Sequence, residues 1–430
     1  MAARVAVLGG GALGLTAALR LAQRGHEVVV VEREPLSGGL AAGFKLDDRP
    51  GGPWLEKFYH HLFRSDRHAI GLIQEVGLGD DLIWNRPSTV VLWDGELHRL
   101  DSPASLLRFS PLPVPDRVRM GAALAFLRVL PDARLLGGRS AASWIRRWMG
   151  AAGYSRVWEP LLRAKFGEAA PEIAMPWFWA RVHDRTAELG YLRGGFQRLY
   201  EHLSDRIREL GGELRFGAEV QTVRPASGGG FGIELSEGAV DADLVVSTLA
   251  TRLTARLVPD LPEEWRRQYE WGRAYGAHCL ILALDRPLTD AYWINVNQPG
   301  FPFLAVVEHT NYLSAGDYGG RHLIYLGNYR PMDDPIFSAS KEEIMTQFLP
   351  HLPALNSAFD PSWVTASWSF AAPFAQPIVT TDYRNHIPPM RTPVPGLWIA
   401  NMFQVYPHDR GQNYSIRLAD RLVRAISERA

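Results

Sequence analysis

The fold is decided by residues 4–32, RVAVLGGGALGLTAALRLAQRGHEVVVVE. Residues 4–8 are an apolar run, three glycines follow at 9–11, and apolar residues then recur at helical spacing up to Ala22. Gly25 ends this helical pattern, and a second apolar run closes on Glu32. The pattern predicts a strand, a tight turn, a helix and a second strand, which is the opening unit of an α/β domain.

The glycines in this stretch have the spacing of a dinucleotide-binding turn. Gly9 permits a sharp turn after the strand, Gly11 lets backbone amides approach a pyrophosphate, and Gly14 lets the helix pack closely on the strand. Glu32 is placed to bind a ribose 2′-hydroxyl and to repel an additional phosphate. The alternative is a glycine-rich turn in another kind of α/β protein. The predicted cofactor contacts of this segment are Gly9, Gly11, Ala12, Leu13, Gly14 and Glu32.

A second pair of glycines, Gly38 and Gly39, follows the second strand closely. This arrangement resembles the two-glycine extension of FAD enzymes in the glutathione-reductase-like superfamily. The branch in question holds monoamine oxidase, protoporphyrinogen oxidase, phytoene desaturase and UDP-galactopyranose mutase. The resemblance implies that FAD is the cofactor and that its pyrophosphate and ribityl side lie near Arg33, Gly38, Gly39, Leu40 and Ala41.

Two later segments resemble the same branch. Residues 218–220 correspond to a strand whose backbone contacts adenine, and the apolar run 395–400 is followed by Gly411 and a closing helical pattern. In the branch the start of this last helix points at the flavin, where its dipole stabilises negative charge. Most relatives have Gly-Asp or Gly-Glu after the last strand, whereas Asn401-Met402 stands here. The implied cofactor contacts are Val220, Asn401, Arg410, Gly411, Asn413, Tyr414 and Ser415.

The sequence pattern divides the chain into five segments. We predict a Rossmann-like FAD-binding domain with a parallel sheet, and a second α+β substrate domain formed by insertions. The FAD-binding domain comprises residues 1–85, 191–265 and 366–430. The substrate domain comprises a mostly helical segment, 86–190, and an antiparallel sheet within 266–365.

Candidate catalytic residues come from several segments. His60 and His61 stand where the mutase has a histidine beside the flavin; the alternative is a packed pair bonded to backbone. Lys165 lies in a helical region that mixes aromatics with cations. Such a mixture suits a pocket that stacks a ring or holds an anionic group, and equally a helical core with exposed arginines. The residues predicted to line the floor of the substrate cavity are Trp293, Asn295, Tyr325, Asn328, Tyr329 and Arg330; the alternative for the aromatic ones is packing at strand ends.

Composition excludes several functional classes. The 430 residues carry a formal net charge of zero, which gives no electrostatic basis for nucleic-acid binding. The single cysteine excludes an intramolecular disulfide and a four-thiolate metal site. No apolar stretch outside the core strands approaches the roughly 20 residues that span a bilayer. We therefore expect no metal, no signal peptide, no transmembrane segment and a cytoplasmic location; peripheral membrane contact and the oligomeric state stay open.

These patterns predict an FAD-dependent oxidoreductase of the amine oxidase or protoporphyrinogen oxidase type. The resemblance implies hydride transfer from a small organic substrate to flavin N5. A redox-neutral sugar mutase resembling UDP-galactopyranose mutase is the alternative, in which reduced N5 acts as a nucleophile. A flavin-binding protein without a catalytic role is the third hypothesis.

Overall fold

The computed structural model describes residues 2–47, 51–270 and 272–428. In chain order the strands are β1 (Arg4–Leu8), β2 (Glu27–Glu32), β3 (Gly43–Lys45), β4 (Trp54–Glu56), β5 (Leu62–Phe63), β6 (Leu82–Asn85), β7 (Thr89–Trp93), β8 (Glu96–Arg99), β9 (Leu189–Leu192), β10 (Glu213–Phe216), β11 (Val220–Pro225), β12 (Phe231–Leu235), β13 (Ala239–Ala242), β14 (Leu244–Ser247), β15 (Ala274–Leu284), β16 (Trp293–Val296), β17 (Ala305–Glu308), β18 (His322–Pro331), β19 (Val364–Pro377) and β20 (Leu397–Ile399). The helices are α1 (Ala12–Ala22), α2 (Arg67–Glu75), α3 (Pro103–Arg108), α4 (Val114–Val129), α5 (Ala141–Met149), α6 (Glu159–Phe166), α7 (Met175–His183), α8 (Gln197–Glu209), α9 (Thr251–Leu257), α10 (Glu263–Tyr269), α11 (Lys341–Phe348) and α12 (Gln412–Ser427).

A five-stranded parallel sheet in the order β10-β2-β1-β14-β20 forms the nucleotide-binding core. Alternate side chains of β1 enter two different apolar clusters, as the two-residue period of a strand requires. Val5 and Val7 are buried with residues of α1, α8 and α12, and Ala6 and Leu8 are buried with β11–β13. Both faces of the sheet are therefore covered, which explains its continuous apolar strands.

A seven-stranded sheet in the order β19-β15-β18-β17-β16-β7-β8 forms the second layer of the molecule. Its pairs are antiparallel except for β16 with β7, which run parallel. Helices α3–α7 bury an apolar core of their own that includes Met120, Ile145 and Phe178. A small antiparallel sheet, β5-β9-β6, lies at the two chain crossings where α3–α7 are inserted.

The predicted fold class is confirmed: a parallel nucleotide-binding sheet is combined with a second region built from insertions. The predicted return to the first region at residue 366 falls inside β19, which stays paired with β15 up to Pro377. The chain rejoins the parallel sheet only at β20. The sequence around residue 366 did not predict this, because the apolar pattern of a strand does not indicate which of two sheets the strand joins.

No helix in the part of the chain that the structure describes combines the length and the apolar character needed to cross a bilayer.

Candidate active site

The turn after β1 brings the predicted glycines together at the carboxyl edge of the parallel sheet. Gly9 has a φ of 105°, in the region that favours glycine. A Cβ on Gly14 would lie 1.9 Å from the carbonyl oxygen of Gly9, so α1 packs against the turn only because residue 14 has no side chain. Gly11 precedes α1 directly, and a Cβ there would meet no atom closer than 3.9 Å. The face at Gly11 is therefore open to a ligand.

Glu32 closes β2 beside this turn. Its carboxylate accepts hydrogen bonds from the backbone N–H of Gly10 at 2.7 Å and of Glu34 at 2.9 Å. Ala218 donates its backbone N–H to the carbonyl oxygen of Glu32 at 3.0 Å, which brings the start of β11 and Val220 to the same edge. The predicted ribose and adenine positions thus lie next to each other.

The second glycine pair lies directly against the first turn. Gly38 donates its N–H to the carbonyl oxygen of Gly10 at 2.9 Å, and Gly38 and Gly39 have φ values of 117° and 58°. A Cβ on Gly39 would lie 3.3 Å from the Cα of Gly11. Leu40 and Ala41 continue from this contact in a short 3-10 turn.

Two predicted cofactor contacts are turned away from this cradle. The side chain of Arg33 is exposed and pairs with Glu34 at 3.3 Å. Asn401 is buried, and its amide donates to the carbonyl oxygen of Leu249 and the hydroxyl of Thr251 while its oxygen accepts from Phe403 N–H. Arg33 points to solvent, and the Asn401 side chain uses its hydrogen-bonding groups to hold the turn after β20; the cofactor contacts of both residues stay predictions.

The start of α12 provides a second set of backbone amides. Gly411 precedes the helix, and residues 411–414 line a cavity. Asn413 accepts from the backbone N–H groups of His68 and Ala69 at 2.9 and 3.2 Å. Tyr414 donates its hydroxyl to Asp184 at 2.7 Å, whereas Ser415 is bonded through its N–H to the carbonyl of Gly411. Of the predicted residues in this segment, Ser415 alone is not part of the cavity wall.

This cavity, of about 220 Å³, brings together residues that lie far apart in the sequence. Three predicted catalytic residues, His60, His61 and Lys165, lie in its wall together with Arg410. The polar wall comprises His60, His61, Asp66, Lys165, Arg181, Asp184, Arg185, Asn295, Asp409 and Arg410, and the aromatic wall includes Tyr59, Phe63, Trp158, Trp177, Phe178, Trp293 and Tyr329.

Asp409 is the centre of the polar wall. One of its oxygens accepts from the Lys165 amine at 3.0 Å and from the Arg181 guanidinium at 3.1 Å. The other accepts from the Trp177 indole N–H at 3.2 Å and the Arg410 backbone N–H at 3.1 Å. Burial alone would raise the pKa of Asp409, but the surrounding cations hold it below its usual range. Burial lowers the pKa of Lys165 well below its usual value.

The two histidines lie in the cavity wall as neutral rings. Nδ1 of His60 is 2.6 Å from the carbonyl oxygen of Phe58. The ring of His61 packs edge-on against Phe63, with centroids 5.1 Å apart. Burial lowers the pKa of His60 to about 4 and that of His61 to about 3. Neither histidine is therefore a general acid near neutral pH. In the cavity wall the two rings serve as hydrogen-bonding and packing groups.

Tyr325 and Arg330 do not reach this cavity. Tyr325 is fully buried and donates its hydroxyl to the carbonyl oxygen of Glu56 at 3.0 Å. Arg330 lines a second cavity of about 610 Å³ that shares Leu304 and Tyr329 with the first. Strand β18 places Tyr325 in the core and Arg330 in the wall of the second cavity, and their catalytic role stays a prediction. Trp293, Asn295 and Tyr329, predicted as floor residues, do line the first cavity.

Sequence reasoning missed the carboxylates of the site. Asp409 directly precedes the motif at Gly411, which was the available signal, but its cation partners are more than 200 residues away. Arg185 and Asp66 stand in segments without a recognisable motif. Among the described residues, no group of three or more histidine, cysteine or acidic side chains is arranged to hold a metal ion.

The residues at the carboxyl edge fit FAD. Within the described chain, no side chain caps α1 or α12, so the leading backbone N–H groups of both helices are available to an anion or a carbonyl oxygen. The missing side chain at Gly11 leaves the space that a pyrophosphate needs, and Glu32 is held in place at the ribose position. The glycine turn, the second glycine pair and the cavity at α12 thus form one continuous edge.

Comparison with known proteins agrees with this geometry. The sequence profile of flavin containing amine oxidoreductases matches residues 14–408. A carotenoid phi-ring synthase from Streptomyces griseus is 28% identical over 326 residues, which are 69% of this chain and 62% of that protein, so the chain spans less than two thirds of this relative.

Two solved structures have a similar fold. Reduced UDP-galactopyranose mutase superposes with a TM-score of 0.78 at 16% identity, covering 100% of this chain and 96% of the mutase. Cyclohexylamine oxidase from Brevibacterium oxydans superposes with a TM-score of 0.74 at 16% identity, covering 100% and 99%. The predicted resemblance is confirmed: this chain belongs to the flavin-containing amine oxidoreductases, and its cofactor is FAD.

Proposed function

We propose that this protein oxidises a small organic substrate held in the cavity at the start of α12. Bound FAD supplies a two-electron acceptor. The observation that carries the proposal is that the cavity wall includes residues 411–414, which residues 400–410 connect to the last strand of the nucleotide-binding sheet.

The chain's own residues have three proposed tasks. Gly9, Gly11, Gly14, Gly38 and Gly39 admit the pyrophosphate, and their neighbours Ala12, Leu13, Leu40 and Ala41 supply the surrounding backbone. Val220 and Glu32 hold the adenosine end, and the backbone at residues 411–413 holds the flavin end. The proposed contacts at the substrate are Lys165, Arg410, His60, His61 and Tyr414, all of which lie in the cavity wall.

Retention of the cofactor tests the first step. Gly11→Val would put a branched side chain into the open face at the glycine turn, so we expect the purified variant to be colourless, whereas the wild type carries one FAD per chain. Gly71→Ala is the matched control, because Gly71 lies in α2 and a Cβ there meets nothing within 4 Å. A yellow, fully loaded Gly11→Val protein would contradict the placement of the pyrophosphate.

Reduction of the bound flavin tests the second step. The FAD-loaded protein is mixed anaerobically with a panel of amines, alcohols and conjugated carboxylates while flavin absorbance is followed. We expect at least one compound class to bleach the oxidised flavin. A retained flavin that no compound in the panel reduces would argue against substrate oxidation.

A redox-neutral sugar mutase is the second candidate function. Lys165, Arg181, Arg185 and Arg410 give the cavity the cations that a sugar nucleotide would need, and the fold resembles a mutase. The two candidates differ in the flavin state that supports turnover. A mutase converts UDP-galactopyranose only after the flavin is reduced with dithionite and leaves it reduced, whereas an oxidoreductase loses its oxidised flavin absorbance when the substrate is added.

A further inference from the structure

Arg185 is a cation in the cavity wall that has no ion-pair partner among the described residues. It follows α7, and its guanidinium lies over the ring of Phe63 at 5.4 Å from the centroid. In the described part of the chain, its side chain makes no ion pair and no hydrogen bond. A guanidinium carries five N–H donors in a planar fork that matches carboxylate and phosphate oxygens. The cavity wall thus presents N–H donors that none of the described residues accepts from.

The carboxylates nearest to Arg185 already have partners. Asp409 binds Lys165 and Arg181. Asp184 accepts from the His408 ring at 2.6 Å and from Tyr414 at 2.7 Å. Asp66 accepts from the backbone N–H of Phe63 at 2.8 Å and precedes α2. Although all three carboxylates lie in the same cavity wall, none of them is within ion-pair distance of the Arg185 guanidinium.

The other cations of the cavity add to the same field. Lys165 and Arg181 share Asp409 as an ion-pair partner, whereas the Arg410 guanidinium donates to the carbonyl oxygen of Ala375 and to the Tyr329 hydroxyl. Burial and the nearby Arg181 together lower the pKa of Arg185 to about 9. Both cavity histidines are neutral, so they neither add to this charge nor offset it. An anion in the cavity would offset the unfavourable burial of Arg185.

The rest of the wall indicates what carries the anion. Phe63, Trp158, Phe178 and Trp293 line the cavity with flat aromatic surfaces. Such surfaces bind planar, unsaturated groups through stacked or edge-on contacts.

We propose that the substrate carries an anionic group, a carboxylate or a phosphate, on an unsaturated or aromatic body, and that Arg185 binds this group. The inference rests on the proposed function, since it assigns a substrate class to the same cavity. It sets the substrate apart from a simple amine, whose cationic nitrogen this wall would repel.

Binding of three matched probes tests the charge preference. Benzoate, phenyl phosphate and benzamide are titrated into the FAD-loaded protein by isothermal titration calorimetry, and flavin difference spectra are recorded alongside. We expect benzoate or phenyl phosphate to bind at least tenfold more tightly than neutral benzamide. The tighter of the two identifies carboxylate or phosphate as the preferred group. Equal or weaker binding of both anions would overturn the proposal.

Variants of Arg185 assign the preference to this residue. Arg185→Gln should weaken binding of the preferred anion by roughly tenfold to a hundredfold while leaving benzamide binding unchanged. Arg185→Lys keeps the charge but loses the fork, so it should restore part of the affinity. Arg208→Gln, on the exposed face of α8, is the matched control. Unchanged anion affinity in Arg185→Gln would overturn the role of Arg185.

The proposed function and this inference fail in different ways. A protein whose flavin is reduced by neutral compounds but which has no preference for anions keeps the oxidoreductase function and refutes the substrate class. A protein that binds benzoate through Arg185 but whose flavin no substrate reduces keeps the anion site and refutes the oxidation. Calorimetry reports binding whether or not the flavin reacts, so each outcome is read independently.

Discussion

Replacing Glu56 by glutamine should remove part of the pH dependence of the protein's stability. Glu56 lies at the end of β4 and is 1% exposed. Its carboxyl accepts from the Tyr191 hydroxyl at 2.6 Å and from the Phe196 backbone N–H at 2.7 Å, while its carbonyl oxygen accepts from Tyr325. It therefore ties together the first and second nucleotide-binding segments and the large sheet.

The magnitude follows from the pKa of this carboxyl. Burial raises the pKa of Glu56 from 4.5 to about 7, although the Tyr191 hydroxyl and the Phe196 N–H oppose the rise. Below pH 4.5 both the folded and the unfolded chain hold the proton, and the contribution to stability is complete. As the pH rises to 7 only the unfolded chain releases it, so stability falls by about 3 kcal/mol in total, at about 1.36 kcal/mol per pH unit.

The assay is urea unfolding in excess FAD at several pH values from 5 to 8, for the wild type and Glu56→Gln. The amide of glutamine can accept from Phe196 N–H through its oxygen and donate to the Tyr191 oxygen, so the contacts are kept without a titrating proton. Glu201→Gln, on the exposed face of α8, is the control. Between pH 5 and 8 the wild type should lose about 2–3 kcal/mol relative to Glu56→Gln.

Other buried acids contribute equally to both proteins and cancel in this difference. Glu308 and Asp66 also have raised pKa values, of about 7 and about 6. A difference between wild type and Glu56→Gln that does not change with pH would refute the reasoning, since it would mean that Glu56 is ionised in the folded protein throughout this range.

Three further predictions concern the site. Glu32→Ala should weaken FAD binding about tenfold without changing the spectrum of bound flavin, as measured by titration of FAD into the stripped protein; an altered spectrum would contradict its place at the adenosine end. Asp409→Asn should lower the free energy of unfolding in urea by about 3 kcal/mol, because it leaves the Lys165 amine buried without its carboxylate. In a Lys165→Met background the same substitution should cost less, and strictly additive losses would exclude coupling of the pair. Burial raises the pKa of Asp66 to about 6. Calorimetry should therefore show benzoate affinity falling as the pH rises through 6, because a carboxylate forms near Arg185; Asp66→Asn should abolish this dependence, and a pH-independent wild type would refute it.

Local rules of the chain predicted the nucleotide-binding half of the site. A turn that needs a φ of 105° at Gly9, or that leaves 1.9 Å between a Cβ on Gly14 and a neighbouring carbonyl, restricts the residue type at that position alone. The same holds for the second glycine pair, in which Gly38 and Gly39 have φ values of 117° and 58°. Such restrictions are visible in one sequence because the atoms that impose them are only a few residues apart, or belong to a motif with fixed spacing.

The residues of the substrate cavity could not be predicted from local sequence in the same way. Nothing near Lys165 in the sequence distinguishes a cavity lysine from a surface lysine until Asp409 is brought 3.0 Å from it. Tyr325 and Arg330 lie on one strand, yet one is in the core and the other in a separate cavity, which depends on how β18 is placed against its neighbours.

The sequence by itself determined the cofactor, the order of the segments that bind it and the parallel sheet that carries them. Only the tertiary structure decided that Arg185 has no carboxylate partner among the described residues, that burial keeps both histidines neutral and that Glu56 joins three segments. The physical reason is that backbone conformation is set by neighbours along the chain, whereas the charge state and the partners of a side chain are set by burial among residues hundreds of positions away.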